Sequence, residues 1–241
     1  MKKNKANSLS QSISWLLFAI LFFTLFLFPN NNLDLGWHMK NGQNFFKTGQ
    51  IVIDNLYSST LPDYIFPNHS WLYDVIIYPI FQQFSFLGLS VTNALIGLAS
   101  IILIIKLFKI PSSNTVVYSN MNILSRHPIF VHGFKSQNLS LLAMIYTVSL
   151  GDKILNHKLN KKDWITAPII FLLWANLHGQ FIIGLGYIAL IILGLFIDNS
   201  HPKKLRKNKL YIIKVLKFAT LISLPTLINP IGINNHLDSF R

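Results

Sequence analysis

The 241-residue chain has no cysteine, which excludes disulfides and thiolate-bound metal. It has no glutamate either, so its eight acidic residues are all aspartates, and only three of its 21 basic residues are arginine. Charged residues make up 12% of the chain, against about 25% in an ordinary soluble domain. Hydrophobic residues take their place, at 51% of the sequence with a mean hydropathy of +0.44. Scarce charge and long apolar runs exclude a soluble globular chain and point to a polytopic membrane protein.

Four segments are apolar enough to cross a bilayer: 13–28, 86–108, 180–197 and 211–228. A span takes about 17–25 mostly apolar residues, so the shorter ones borrow flanking positions. The net charge of +13 comes from clusters between spans: Lys2, Lys3 and Lys5; Lys106 and Lys109; Lys153, Lys158, Lys161 and Lys162; Lys203, Lys204, Arg206, Lys207 and Lys209. Such clusters mark cytoplasmic loops and set orientation. No separate basic, aromatic-rich domain exists, so no nucleic-acid partner is expected.

The basic start and first apolar stretch resemble a signal peptide, but no small-x-small site follows, so the segment reads as a retained anchor. With the N-terminus cytoplasmic, residues 29–71 form a long exoplasmic loop. Residues 69–84 re-enter as an interfacial helix, and 86–108 returns the chain inside. Two crossings are expected within 110–155, one of them broken by Pro111, Arg126, His127, Pro128, His132 and Lys135 and shielded by protein. Segments 164–174 and 180–197 read as a hairpin with its tip at 175–179, and the last span ends outside at Asn229-Pro230-Ile231-Gly232.

This threading brings Asp34, His38, His69, Asp74, Asn176, His178 and Asn229 to one membrane face. Polar groups that interrupt apolar runs, as Asn176 and His178 do, need partners and mark candidate sites. Plainer readings exist for each. Asp34 is also what a solvated loop aspartate looks like, and Asp74 suits a helix cap. His38 and His69 with the aspartates make a possible divalent-metal set, although they lack tight ligand spacing.

The ordered motifs resemble a known pattern. Asp34-Leu35-Gly36-Trp37-His38 with Gly42, then Asp54 with Ser58, Ser59 and Thr60, then His69-Ser70-Trp71-Leu72-Tyr73-Asp74, is similar to the first exoplasmic loop of bacterial GT-C-type membrane glycosyltransferases. Trp174-Ala175-Asn176-Leu177-His178-Gly179 and Asn229-Pro230-Ile231-Gly232 resemble two further motifs of a poorly characterised branch, in the same order. The likeness spans residues 34–232. It departs at Asp74, where a glutamate is usual, and at Lys135-Ser136-Gln137, where an Arg-Pro motif is expected. The branch also continues through more helices beyond the position of Arg241, so a fragment or truncated relative is expected.

The resemblance implies an all-α, GT-C-like transmembrane bundle in the bacterial plasma membrane. It implies transfer of a sugar from a polyprenyl-phosphate donor to an exoplasmic glycan, lipid or protein acceptor. In that scheme Asp34 is the general base and Asp74 the second catalytic acid. His178, Lys135 or Arg126 meets the departing phosphate, and Asn176 orients an oxygen. His38, His69 and Asn229 complete the substrate site, with Trp37 and Trp71 at the interface or stacked on sugar. The alternatives are a transporter or lipid flippase built on broken helices, and a non-catalytic truncated relative.

Overall fold

The computed structural model describes residues 31–53, 68–109, 128–198 and 202–238, with most of 16–29. Among these residues every regular element is helical: α1 (Leu35–Thr48), α2 (Trp71–Phe108), α3 (Pro128–Val131), α4 (Ser136–Leu155), α5 (Asp163–Leu177), α6 (Phe181–Asp198), α7 (Pro202–Ser223), a 3-10 turn (Leu224–Leu227) and α8 (Asn234–Asp238). Three stretches are long and apolar enough to cross a membrane: Trp71–Phe108, Phe181–Asp198 and Asn208–Leu227. They contain or closely match the spans expected at 86–108, 180–197 and 211–228. Helix α5 is apolar but only 15 residues long. Asp54, Ser58, Ser59, Thr60, Asp63, Arg126, His127 and part of 13–28 lie outside the described residues.

Three elements differ from the expectation. The polar loop 29–71 contains α1, whose apolar Leu35, Met39 and Phe45–Phe46 recur at helical spacing among polar residues. Gly49 ends it in the left-handed region (φ 71°), its N–H donating to the Phe45 carbonyl at 2.8 Å. Residues 69–84 and 86–108 join in α2, divided by Ser85, whose φ of 52° and ψ of −149° are not helical. Phe81 and Phe86 pack edge to face across that break, 5.2 Å apart. The basic stretch after Ser200 is helical from Pro202 onward, proline being well suited to a first turn.

The chain divides into two compact units, residues 1–33 with 80–138, and residues 34–79 with 139–241. In the first, Phe26, Leu89, Ile101, Phe130 and Phe134 are buried, with Phe26 and Phe130 meeting edge to face at 4.6 Å. Asn93, fully buried, donates to the carbonyls of Phe26 and Phe130 at 2.9 and 3.0 Å and accepts from Asn138 at 2.7 Å. An apolar interior tolerates an amide only when it is bonded this fully.

In the second unit, α5 packs against α7 and the 3-10 turn, and α6 against α7. Its core holds Phe171, Trp174, Phe181, Ile188, Phe218 and Ile222. The buried Trp174 indole donates to Ser140 Oγ at 2.9 Å, so its polar edge is satisfied. At the other end of α5, Lys153 pairs with the buried Asp163 carboxylate at 2.5 Å, and the Asn160 amide donates to the same carboxylate at 2.9 Å.

Candidate functional site

Helix α1 presents Asp34, His38 and Gly42 at intervals of four residues, hence along one face. Asp34 occupies the N-cap position, is exposed, and makes no side-chain capping bond; its carbonyl accepts the His38 amide at 3.2 Å. Gly42 sits where α1 crosses α2. A Cβ there would lie 2.5 Å from the Asp74 carbonyl oxygen and 2.6 Å from Tyr78 Cβ. Only glycine allows the two helices this close, and that approach sets His38 against Asp74.

His38 Nδ1 and Asp74 Oδ1 are 2.5 Å apart. The other carboxylate oxygen of Asp74 accepts from Asn68 Nδ2 at 2.8 Å, and Asp74 is 2% exposed. Asp74 therefore does not cap α2; its carboxylate turns to His38 and Asn68. The His38 ring stands edge-on to Tyr73, 4.7 Å between centroids, and keeps 20% of its side chain exposed. A carboxylate only accepts, so the proton in the short bond belongs to Nδ1, which in the neutral ring leaves the lone pair on Nε2.

His69 is held in a similar way. Its Nδ1 is 2.5 Å from Asn235 Oδ1, and the Asn235 amide nitrogen donates to the Ala175 carbonyl at 2.8 Å. That second bond fixes which end of the Asn235 amide faces the ring, so His69 also carries its proton on Nδ1. His178, in extended backbone after α5, accepts the Gln180 amide on Nδ1 at 3.3 Å, which leaves its Nε2–H as a donor. Burial first, then repulsion from His69 and His38, lowers its pKa to about 4. His178 can thus offer a hydrogen bond to a phosphate at neutral pH but no positive charge.

A groove of about 490 Å³ runs beside this cluster, lined by Trp71, Leu72, Leu172, Leu173, Asn176, Ile228, Asn229 and Pro230. Its polar members are already bonded. The Trp71 indole donates to Asn176 Oδ1 at 2.6 Å, and Asn176 Nδ2 donates to the carbonyls of Leu172 and Ile228 at 2.8 and 2.9 Å. Asn229 Nδ2 donates to Thr226 and Gly232 at 2.9 and 3.2 Å. With those donors engaged within the protein, the groove offers mainly hydrocarbon to an occupant. Asn176 and Asn229 shape its wall and have no amide hydrogen left for a sugar or phosphate oxygen.

The second unit thus brings together Asp34, His38, His69, Trp71, Asp74, Asn176, His178 and Asn229. Trp37 is on α1 and 43% exposed. Lys135 belongs to the first unit, where its amide donates to Asn138 Oδ1 at 3.0 Å. Among the described residues no group of three His or Asp side chains is placed to hold a metal ion.

Four residues join the cluster that were given no part in a site from sequence: Asn41, Asn68, Tyr73 and Asn235. Asn41 is 5% exposed, its Oδ1 has no hydrogen-bond partner among the described residues, and it borders a void of about 10 Å³ shared with Asn68 and Asp74. Its spacing of three from His38 placed it near the same helix face and was the available signal. Asn235 carried none. Comparison with known protein families, curated proteins and solved structures finds no match to this chain.

Proposed function

We propose that this chain is a membrane glycosyltransferase that moves a sugar from a polyprenyl-phosphate donor to an acceptor hydroxyl on the exoplasmic side. The observation that carries the reading is the convergence, in one unit, of side chains from residues 34–42, 68–74, 174–178 and 229–235, the segments that hold the GT-C-like motifs. The groove supports a lipid-linked donor, because a wall without available side-chain donors suits an isoprenoid chain better than a sugar. His178 Nε2–H is suited to the oxygen of the departing phosphate. Asp34 and His38, one turn apart on α1, are the two groups able to take the acceptor's proton.

A transporter or flippase reading draws on the Ser85 break and on the buried Asn93–Asn138 pair. Both Asn93 donors go to backbone carbonyls of the protein, so none is left to a substrate, and the transferase reading is preferred.

The test is reconstitution of the full chain in liposomes with a defined polyprenyl-phosphate sugar, together with glycan profiling of a deletion strain. Transfer expects sugar lost from the lipid, free polyprenyl phosphate formed, and one surface glycan shortened in the deletion strain. Movement of intact donor between leaflets without loss of its sugar would establish transport instead. Neither change would favour the non-catalytic relative.

A further inference from the structure

Asp74 poses a chemical question. It is a carboxylate buried to 2% exposure, with both oxygens engaged by His38 and Asn68. It is therefore poorly placed to touch an acceptor, and its effect on any substrate must pass through His38. We infer that His38 is the proton acceptor of the transfer reaction, with Asp74 and Asn68 as the residues that position it. The inference rests on the glycosyltransferase reading and names the base within it.

The arrangement is preorganised. Nδ1 is tied to Asp74, the ring packs T-shaped against Tyr73, and the helix approach at Gly42 sets the distance. The lone pair on Nε2 then lies on the other side of the ring from the buried carboxylate, in a side chain that keeps 20% exposure. A base held in one orientation takes a proton without first having to be ordered. The plainer reading is that the His38–Asp74 pair only fastens α1 to α2. A fastening pair has no need of an imidazole that keeps 20% exposure.

The step balances as follows. The acceptor O–H bond breaks and its proton goes to His38 Nε2. The oxygen's electron pair forms the new bond to the anomeric carbon. The bond from that carbon to the donor phosphate breaks, its electrons remaining on the lipid phosphate. Asp74 stabilises the imidazolium formed, and His178 Nε2–H is available to the leaving oxygen.

The test uses the full chain in nanodiscs, with His38→Gln, Asp74→Asn and Asp34→Asn, a polyprenyl-phosphate sugar as donor, and nitrogen-15 spectra of labelled histidine. Around His38 lie Asp34 on its own helix, Asp74 and Tyr73 on α2, and His178, whose pKa His38 and His69 perturb. The wild type is expected to show the Nδ1–H tautomer of His38. Asp74→Asn presents an amide donor to Nδ1, so the proton moves to Nε2 and turnover falls about 10³–10⁴-fold. His38→Gln is expected to lose a similar factor. Asp34→Asn is expected to leave the Nδ1–H tautomer of His38 in place.

Abolished transfer in Asp34→Asn with activity kept in His38→Gln makes Asp34 the base and overturns the inference alone. An Nε2–H tautomer in the wild type overturns it regardless of activity. Absence of transfer by the wild type overturns the glycosyltransferase reading, and the base assignment with it.

Discussion

The Trp71 indole N–H donates to Oδ1 of Asn176 at 2.6 Å, tying the first turn of α2 to the last turn of α5 across 105 residues of sequence. Asn176 also donates to the carbonyls of Leu172 and Ile228, so one amide closes the wall of the groove from three directions. Asn176 is 5% exposed, and a buried polar group left without its partner is costly.

Asn176→Ala strands the Trp71 N–H and the Ile228 carbonyl together. A loss of about 1–3 kcal/mol is expected, chiefly from the Trp71 N–H, since Ile228 is exposed. Removing both ends of the Trp71 bond, as in Trp71→Phe with Asn176→Ala, should be milder than the sum of the two single variants, because no donor is then left without an acceptor. Thermal melting of the four proteins of this cycle in one detergent checks it. Strict additivity would mean that the two side chains do not share a bond in solution.

Gly42→Ala is expected to destabilise the protein by about 1–3 kcal/mol, since the added methyl meets the Asp74 backbone, which cannot swing aside. It should also lengthen the His38–Asp74 contact. Gly36→Ala is the control on the same helix. Nothing lies within 4 Å of its Cβ position, and removing a helical glycine there should stabilise by about 0.5–1 kcal/mol. Melting temperatures moving in opposite directions for the two variants bear the argument out; parallel shifts would sink it.

His178 makes stability depend on pH. Its pKa falls from 6.5 to about 4 on folding, chiefly through burial. Between those values the unfolded chain binds a proton that the folded chain does not. Folding is therefore favoured less as pH drops through that window, and the effect is fully expressed below about 4. The loss is on the order of 3 kcal/mol. The His178→Gln variant should lose this part of the acid sensitivity, read as a smaller fall in melting temperature between about pH 7 and about pH 4.5. Equal falls in both proteins would show that His178 is not buried as neutral imidazole.

Much of this was legible from sequence. Scarce charge and apolar runs of adequate length identified the helices at 86–108, 180–197 and 211–228, because a bilayer-length helix is encoded locally by composition. The candidate cluster was legible as a set of residues: Asp34, His38, His69, Asp74, Asn176 and His178 stood out as polar groups beside apolar segments. The roles were not. Asp74 suggested a cap or an acid and is instead the buried partner of His38. Asn176 and Asn229 suggested substrate contacts and instead direct their amide hydrogens to the groove's own backbone. The helical nature of 35–48 was masked by its polarity, since a helix that is apolar along one face only looks like a loop when unbroken apolar runs are sought.

The sequence by itself determined that the chain is helical with segments long and apolar enough to cross a membrane, and which polar residues sit at the ends of those segments. Tertiary structure alone decided that His38 meets Asp74, that His69 meets Asn235 across 166 residues, and that Gly42 is the point where α1 and α2 touch. The reason is physical. Helix formation depends on side chains three and four residues apart, whereas a histidine's proton position depends on whichever acceptor the folded chain sets against its ring.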